Sequence, residues 1–240
     1  MLAARHERCN MISIRRSHER GGANFGWLDS KHTFSFGSYY DERHMGFSAL
    51  RVINDDRVIP GAGFDTHGHR DMEIISYVLE GEIAHKDSEG NIATLPPGEF
   101  QLMSAGSGIR HSEFNPSRTE GLHFLQIWIQ PNVYGQAPGY QQKAFDDNPG
   151  LTLAISPDGE AGSLVIKQDA RIYQLLLEPN ATASLTATAS RLYYVHVIDG
   201  ELEIAGEIVA PGDGAKLTGI HALQLNAQGQ AVKALVFDLP

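Results

Sequence analysis

The sequence predicts an all-β protein made of two similar halves. Three observations carry this. Short apolar stretches alternate with turn-forming residues, with 25 glycines and 11 prolines spread along 240 residues. Few segments keep a 3.6-residue period, so no helix longer than two or three turns is expected. The chain also repeats itself weakly. Val78-Leu79-Glu80-Gly81-Glu82-Ile83 resembles Val197-Ile198-Asp199-Gly200-Glu201-Leu202, and Pro97-Gly98-Glu99 resembles Pro211-Gly212-Asp213. Similar order at similar spacing points to a duplicated β-unit.

The elements follow in order. Residues 1–10 lack the apolar core of a signal peptide and are expected to form a loose extension before Met11. Strands are expected at 47–53, 73–79, 82–86, 100–103 and 122–129, each a short apolar or alternating run bounded by turn residues. Asp87-Ser88-Glu89-Gly90-Asn91 reads as a hairpin tip. Residues 131–150 carry the densest mix of Pro, Gly, Gln and Asn and are read as the connection. The expected division is 11–135 and 136–240. In the second half, strands are expected at 151–155, 164–168, 171–177, 193–198, 201–204 and 232–237.

Bulk composition bounds the function. A hydrophobic fraction of 42% and a charged fraction of 20% are ordinary for globular domains. The net charge of −10 and the lack of a Lys/Arg cluster argue against direct nucleic-acid binding. Cys9 is the only cysteine, so no disulfide forms within the chain and a reducing compartment is favoured. No apolar run approaches the ~20 residues that span a bilayer. The expected location is the cytoplasm.

Two short runs carry chemistry: His67-Gly68-His69 and His111-Ser112-Glu113. Each sets two metal-ligand types at i and i+2, which share one face of a strand. Two neighbouring strands can therefore aim three imidazoles and a carboxylate into one pocket. That sulfur-free set suits Fe(II), Mn(II), Co(II), Ni(II), Cu(II) or Zn(II) better than Mg or Ca. Aligning Gly81 with Gly200 sets His67 and His69 against Thr186 and Thr188, so the second half is expected to be metal-free. Glu73 has three readings: a ligand, an acceptor that orients a histidine N–H, or a satisfied strand-end carboxylate. The orienting role is favoured, because ligating histidines need such a partner. His123 reads as a rim or core histidine, and Phe124 and Trp128 as core. Arg70 and Asp71 read as an exposed ion pair. His32 and His85 show no ligand partner nearby in sequence.

Gly61, His67, His69, Glu73 and Gly81 together resemble the first motif of the cupin superfamily. The longer runs resemble the pirin family within it. These are Gly26-Trp27-Leu28-Asp29, Thr33-Phe34-Ser35-Phe36, His67 to Glu73, Met103 to Glu113, and Gln126-Ile127-Trp128-Ile129. The resemblance runs from about Met11 to Pro240 and is thinner in the second half. It implies a bicupin of two jelly-roll-like β-barrels with one mononuclear site in the first. It also implies the ligand set His67, His69, His111 and Glu113, with the residue matching Glu73 beside the site rather than on the metal. One divalent transition metal is implied, Fe(II) favoured, with Zn, Mn, Co, Ni or Cu as alternatives.

Three functions are weighed. The first, which the resemblance favours, is a dioxygenase that cleaves the flavonol quercetin with O2 to a depside and CO. A small flavonoid and O2 are then the partners, and Glu113 is the base for the 3-hydroxyl. The second is an iron-binding, redox-sensing regulatory or interaction protein without physiological turnover, acting through a protein partner. The third is a cupin isomerase, or a purely structural bicupin filled with Zn.

Overall fold

The computed structural model describes residues 11–240. The extension expected at 1–10, with Cys9, lies outside the described residues. The regular structure of the described chain is almost entirely strand; its helical content is three 3₁₀ turns, Ser17–Glu19, Glu42–His44 and Glu160–Gly162. No helix among the described residues is long and apolar enough to cross a membrane.

Each half is a pair of sheets, one of seven strands and one of four. The first large sheet runs, in spatial order, Gly139–Ala144, Glu99–Ser104, Glu73–Glu80, Leu122–Ile129, Leu50–Val58, Leu28–His32 and Gly21–Asn24. The first small sheet is Gly63–His69, Ile109–Phe114, Ile83–Asp87 and Ile92–Leu95. The second large sheet runs Ile12–Arg15, Gly214–Thr218, Leu192–Asp199, Val232–Leu239, Arg171–Leu177, Gly150–Ser156 and Leu164–Val165. The second small sheet is Thr182–Thr186, Ala222–Ala227, Leu202–Ile204 and Glu207–Val209. The architecture is the expected all-β pair of jelly-roll-like units, but the sheets stay separate and do not close into barrels.

The division at 135/136 does not separate the sheets. Gly139–Ala144 pairs with Glu99–Ser104 of the first half, and Ile12–Arg15 pairs with Gly214–Thr218 of the second. Each half therefore completes its large sheet with a strand drawn from beyond that boundary.

Strand parity sets the layers. Along Glu73–Glu80, Ile75 and Tyr77 join a core that includes Ile155, Ile172, Leu235 and Phe237 of the second half. Ile74, Ser76 and Val78 point the other way, into the first half. Ser76 Oγ donates to Glu113 Oε1 at 3.1 Å, so the inner faces of the first pair of sheets meet there. The two large sheets thus pack back to back, and each half keeps its own interior.

The repeat is visible in the topology. The two small sheets share one strand order, and Thr186 lies opposite Ala222 where His67 lies opposite His111. The interior of the second half is filled by an apolar cluster including Leu202, Val209, Leu223 and Leu225.

Candidate metal centre

The small sheet of the first half carries the histidines because two of its strands pair in a particular register. His111 sits directly opposite His67, and Ile109 opposite His69. Between His111 and Glu113 the register slips, so that Glu113 faces Phe64. Two steps on one strand then match three on the other, a bulge of the kind that re-aims side chains. Gly63 makes the close approach possible, since a Cβ there would lie 2.3 Å from the Glu113 carbonyl oxygen.

Three imidazoles converge. His111 Nε2 lies 3.1 Å from His69 Nε2 and 3.1 Å from His67 Nε2. Two nitrogens bound at right angles to one ion at ~2.1 Å stand ~3.0 Å apart, against ~3.4 Å for tetrahedral angles. The spacing here is nearer the first. His67 Nδ1 donates to the Asp65 carbonyl at 2.8 Å, which leaves its Nε2 lone pair free. Burial, then the neighbouring imidazoles His111 and His67, push His69 down to about 4. Burial, then His67 and His85, push His111 down to about 3. Both are neutral at pH 7, the form that binds metal.

Glu113 is 2% exposed, with Oε1 held by Ser76. Its Oε2 is buried without a hydrogen-bond partner, and so is His111 Nδ1. A buried carboxylate oxygen without a donor, close to imidazole nitrogens, is the polar chemistry that a bound cation satisfies. The donor set fits a divalent transition ion. His67, His69 and His111 form one candidate ligand group, and His85, His111 and Glu113 form a second that shares His111.

Around the cluster stand aromatic rings. Trp128 meets His69 edge to face at 5.1 Å, Phe36 meets Trp128 at 5.3 Å, and Phe64 lies 6.4 Å from His67. Trp128, expected as core alone, is therefore also a wall of the centre.

The family follows from comparison with known proteins. Residues 13–129 match the model of the family described as Pirin, and residues 153–239 match the Quercetinase C-terminal cupin domain. The chain is 49% identical over 230 residues to "Quercetin 2,3-dioxygenase" of Escherichia coli strain K12, covering 96% of this chain and 99% of that one. The chain belongs to the pirin family. Another pirin relative is "Pirin-like protein" of Caulobacter vibrioides, 40% identical over 94% of this chain and 99% of its own. Among solved structures, bacterial pirin YhhW of E. coli in complex with nickel(II) aligns with a TM-score of 0.93 at 48% identity, over 96% of this chain and 99% of that one.

Two expectations change against this geometry. Glu73 is buried, but its recorded hydrogen bonds come from Ser104 Oγ at 2.8 Å and the Lys167 backbone N–H at 3.3 Å, with no imidazole among them. By strand parity it shares the Ile75–Tyr77 face, turned to the second half, and so does not orient a histidine ring. His85, set aside above, proves to be buried beside the centre. Its ring centroid lies 5.4 Å from that of His111, its Nε2 is 3.2 Å from Asp87 Oδ2, and Tyr140 packs on it at 4.9 Å. His85-Lys86-Asp87 has the same i, i+2 spacing as the other two runs, and that was the available signal. His123, expected as a rim or core histidine, is part-buried and bonded to Asp55 Oδ1 at 2.7 Å.

Proposed function

We propose that this pirin is a metal-dependent dioxygenase that opens the central ring of a flavonol such as quercetin with O2, yielding a depside and CO. We assign one divalent transition metal to His67, His69, His111 and Glu113. The observation that carries the reading is the convergence of three imidazoles, His69 and His111 among them held neutral at pH 7, beside an unpartnered buried carboxylate oxygen. The 49% identical E. coli protein named quercetin 2,3-dioxygenase supports the substrate class. Fe(II) is our first choice of metal. Ni(II) is the second, in keeping with the nickel complex of bacterial pirin YhhW.

When bound, the metal lowers the pKa of a coordinated hydroxyl and gives O2 a redox partner. The rest of the work falls to the chain. Glu113 Oε2 accepts the flavonol 3-hydroxyl proton, while Ser76 holds Oε1 and fixes the carboxylate plane. His67, anchored on the Asp65 carbonyl, keeps its lone pair aimed at the centre. Trp128, Phe36 and Phe64 supply apolar walls that suit a flat aromatic substrate and limit water. The protein is assigned to the cytoplasm, where its lone cysteine suits a reducing environment.

The experiment is reconstitution of chelator-stripped protein with Fe(II), Ni(II), Mn(II), Co(II), Cu(II) or Zn(II), followed by quercetin and air. Loss of flavonol absorbance that appears with metal and disappears with chelator supports the reading. Failure with every metal, at full occupancy, leaves the redox-sensing regulator in its place.

A further inference from the structure

The inner face of the first large sheet carries a row of polar residues that apolar packing does not require. Register sets Gln101 beside Ser76, Ser76 beside Gln126, Gln126 beside Asn54, and Asn54 beside His32. Directly paired residues of antiparallel strands project to one face, so the row is continuous across five strands. All five residues are buried. On one flank the row is bordered by Met103, Ile74, Trp128 and Val52. On the other lie Val78 and Phe124, then Asp56 and Ser30.

Buried amides normally find partners. Here both amide atoms of Gln101 and the Asn54 Oδ1 have none. Trp128 Nε1 donates to Gln126 Oε1 at 3.0 Å, which orients that amide and leaves its NH2 group as a donor. Asp56 is 1% exposed and accepts a hydrogen bond from Ser30 Oγ. Burial pushes its carboxyl up to about 7. A further donor would relieve that cost.

The Gln126–Asn54–His32 end of the row borders a cavity of ≈ 130 Å³. Phe25, Phe36 and Phe64 wall it, and its polar side includes Ser30, His32, Asn54, Asp56 and Gln126. A cavity of about 150 Å³ accepts one benzene ring. The space adjoins the metal centre, because Phe64 lies opposite Glu113, and Ser76, next to Gln126, holds the Glu113 carboxylate.

We propose that this cavity is the subsite for a hydroxylated ring of the substrate, a phenol or catechol ring seated among the three phenylalanines. Its hydroxyls donate to Asp56 and Asn54 Oδ1 and accept from the Gln126 amide. The inference rests on the flavonol reading and names the part of the flavonol that is selected.

The test measures binding calorimetrically, without O2, on the metal-loaded protein. The probes are quercetin, whose pendant ring is a catechol, and galangin, the same flavonol without those two hydroxyls. Wild type is expected to prefer quercetin by about 10-fold or more, the usual cost of leaving such groups unpaired. Asp56→Leu should bring the ratio to one or invert it through loss of quercetin affinity alone. Gln126→Leu should shrink the ratio in the same way, and serves if Asp56→Leu does not fold. Equal affinities in wild type, or an unchanged preference in the folded variants, would overturn the subsite. A preference for quercetin without turnover would sink the dioxygenase reading and keep the subsite. Equal affinity and equal turnover of both flavonols would do the reverse. Binding of neither would remove both.

Discussion

Removing one imidazole from His67, His69 or His111 leaves a broken ligand set, so each Ala variant is expected to lose most of its metal, read by elemental analysis after desalting. Glu113→Gln keeps the shape and an oxygen donor but loses the base. Its metal content should fall modestly, while turnover per bound metal falls about 10²–10⁴-fold. Glu73→Gln should leave turnover per bound metal at the wild-type level, because Glu73 faces Ser104 and Lys167 rather than the histidines. Glu73→Gln being the more damaging of the two would make Glu73 the working carboxylate. Asp56 supplies a pH test. Its folded pKa is raised from 3.8 to about 7, so its contribution to folding is unfavourable at high pH. The loss begins as pH rises through about 4 and is complete above about 7. Asp56→Asn should therefore gain stability over wild type at pH 8 and lose that advantage at pH 3, measured by denaturant unfolding of metal-free protein. An advantage independent of pH would count against a buried ionising Asp56. The clustering of His67, His69 and His111 was legible in the sequence because residues at i and i+2 share one face of a strand. Glu73 and His85 were misjudged for one reason. The partners that decide their surroundings, Ser104 and the Lys167 N–H for Glu73 and the His111 ring for His85, lie far along the chain, and nearness in sequence says little about which face a side chain takes.

At the scale of elements, strands with strong alternating or continuous apolar patterns were readable, most to within a residue at either end, although the one expected at 47–53 runs Leu50–Val58. Leu122–Ile129 and Arg171–Leu177 match the expected bounds. Strands such as Gly21–Asn24, Gly139–Ala144 and Thr182–Thr186 were missed because they are short and polar and, Gly21 apart, exposed or half-exposed. Tertiary pairing, not side-chain pattern, makes them strands. The bulge opposite His111 and Glu113 was equally invisible, since it depends on which residues of two strands meet. Gly63 is its sequence trace. Gly63→Ala drives a Cβ into the Glu113 carbonyl oxygen, so about 1–3 kcal/mol of stability should be lost. Metal affinity should fall with it, because the ligand-bearing strands must separate. A variant with unchanged melting temperature and full metal content would show that the close approach is not required.

Across the whole molecule, the duplication separates chemistry from support. One half keeps a polar interior with the histidine cluster, and the other fills the same space with Leu202, Val209, Leu223 and Leu225. The back-to-back large sheets share a core built from both halves, and each half lends the other's region a strand. The sequence repeat disclosed the duplication, and Thr186 and Thr188 the absence of a second HxH pair. The exchanged strands could not be read, because one pairs with residues more than a hundred positions away and the other lies inside the supposed linker. One tightly bound metal per chain is expected, and two would contradict the division of roles. The most direct measurement of the central claim is CO released per quercetin consumed by the metal-reconstituted protein in a sealed vessel, with His111→Ala beside it. The account predicts one CO for each flavonol lost, and neither CO nor flavonol loss from the variant. Quercetin consumed without CO, or CO released equally by His111→Ala, would contradict it.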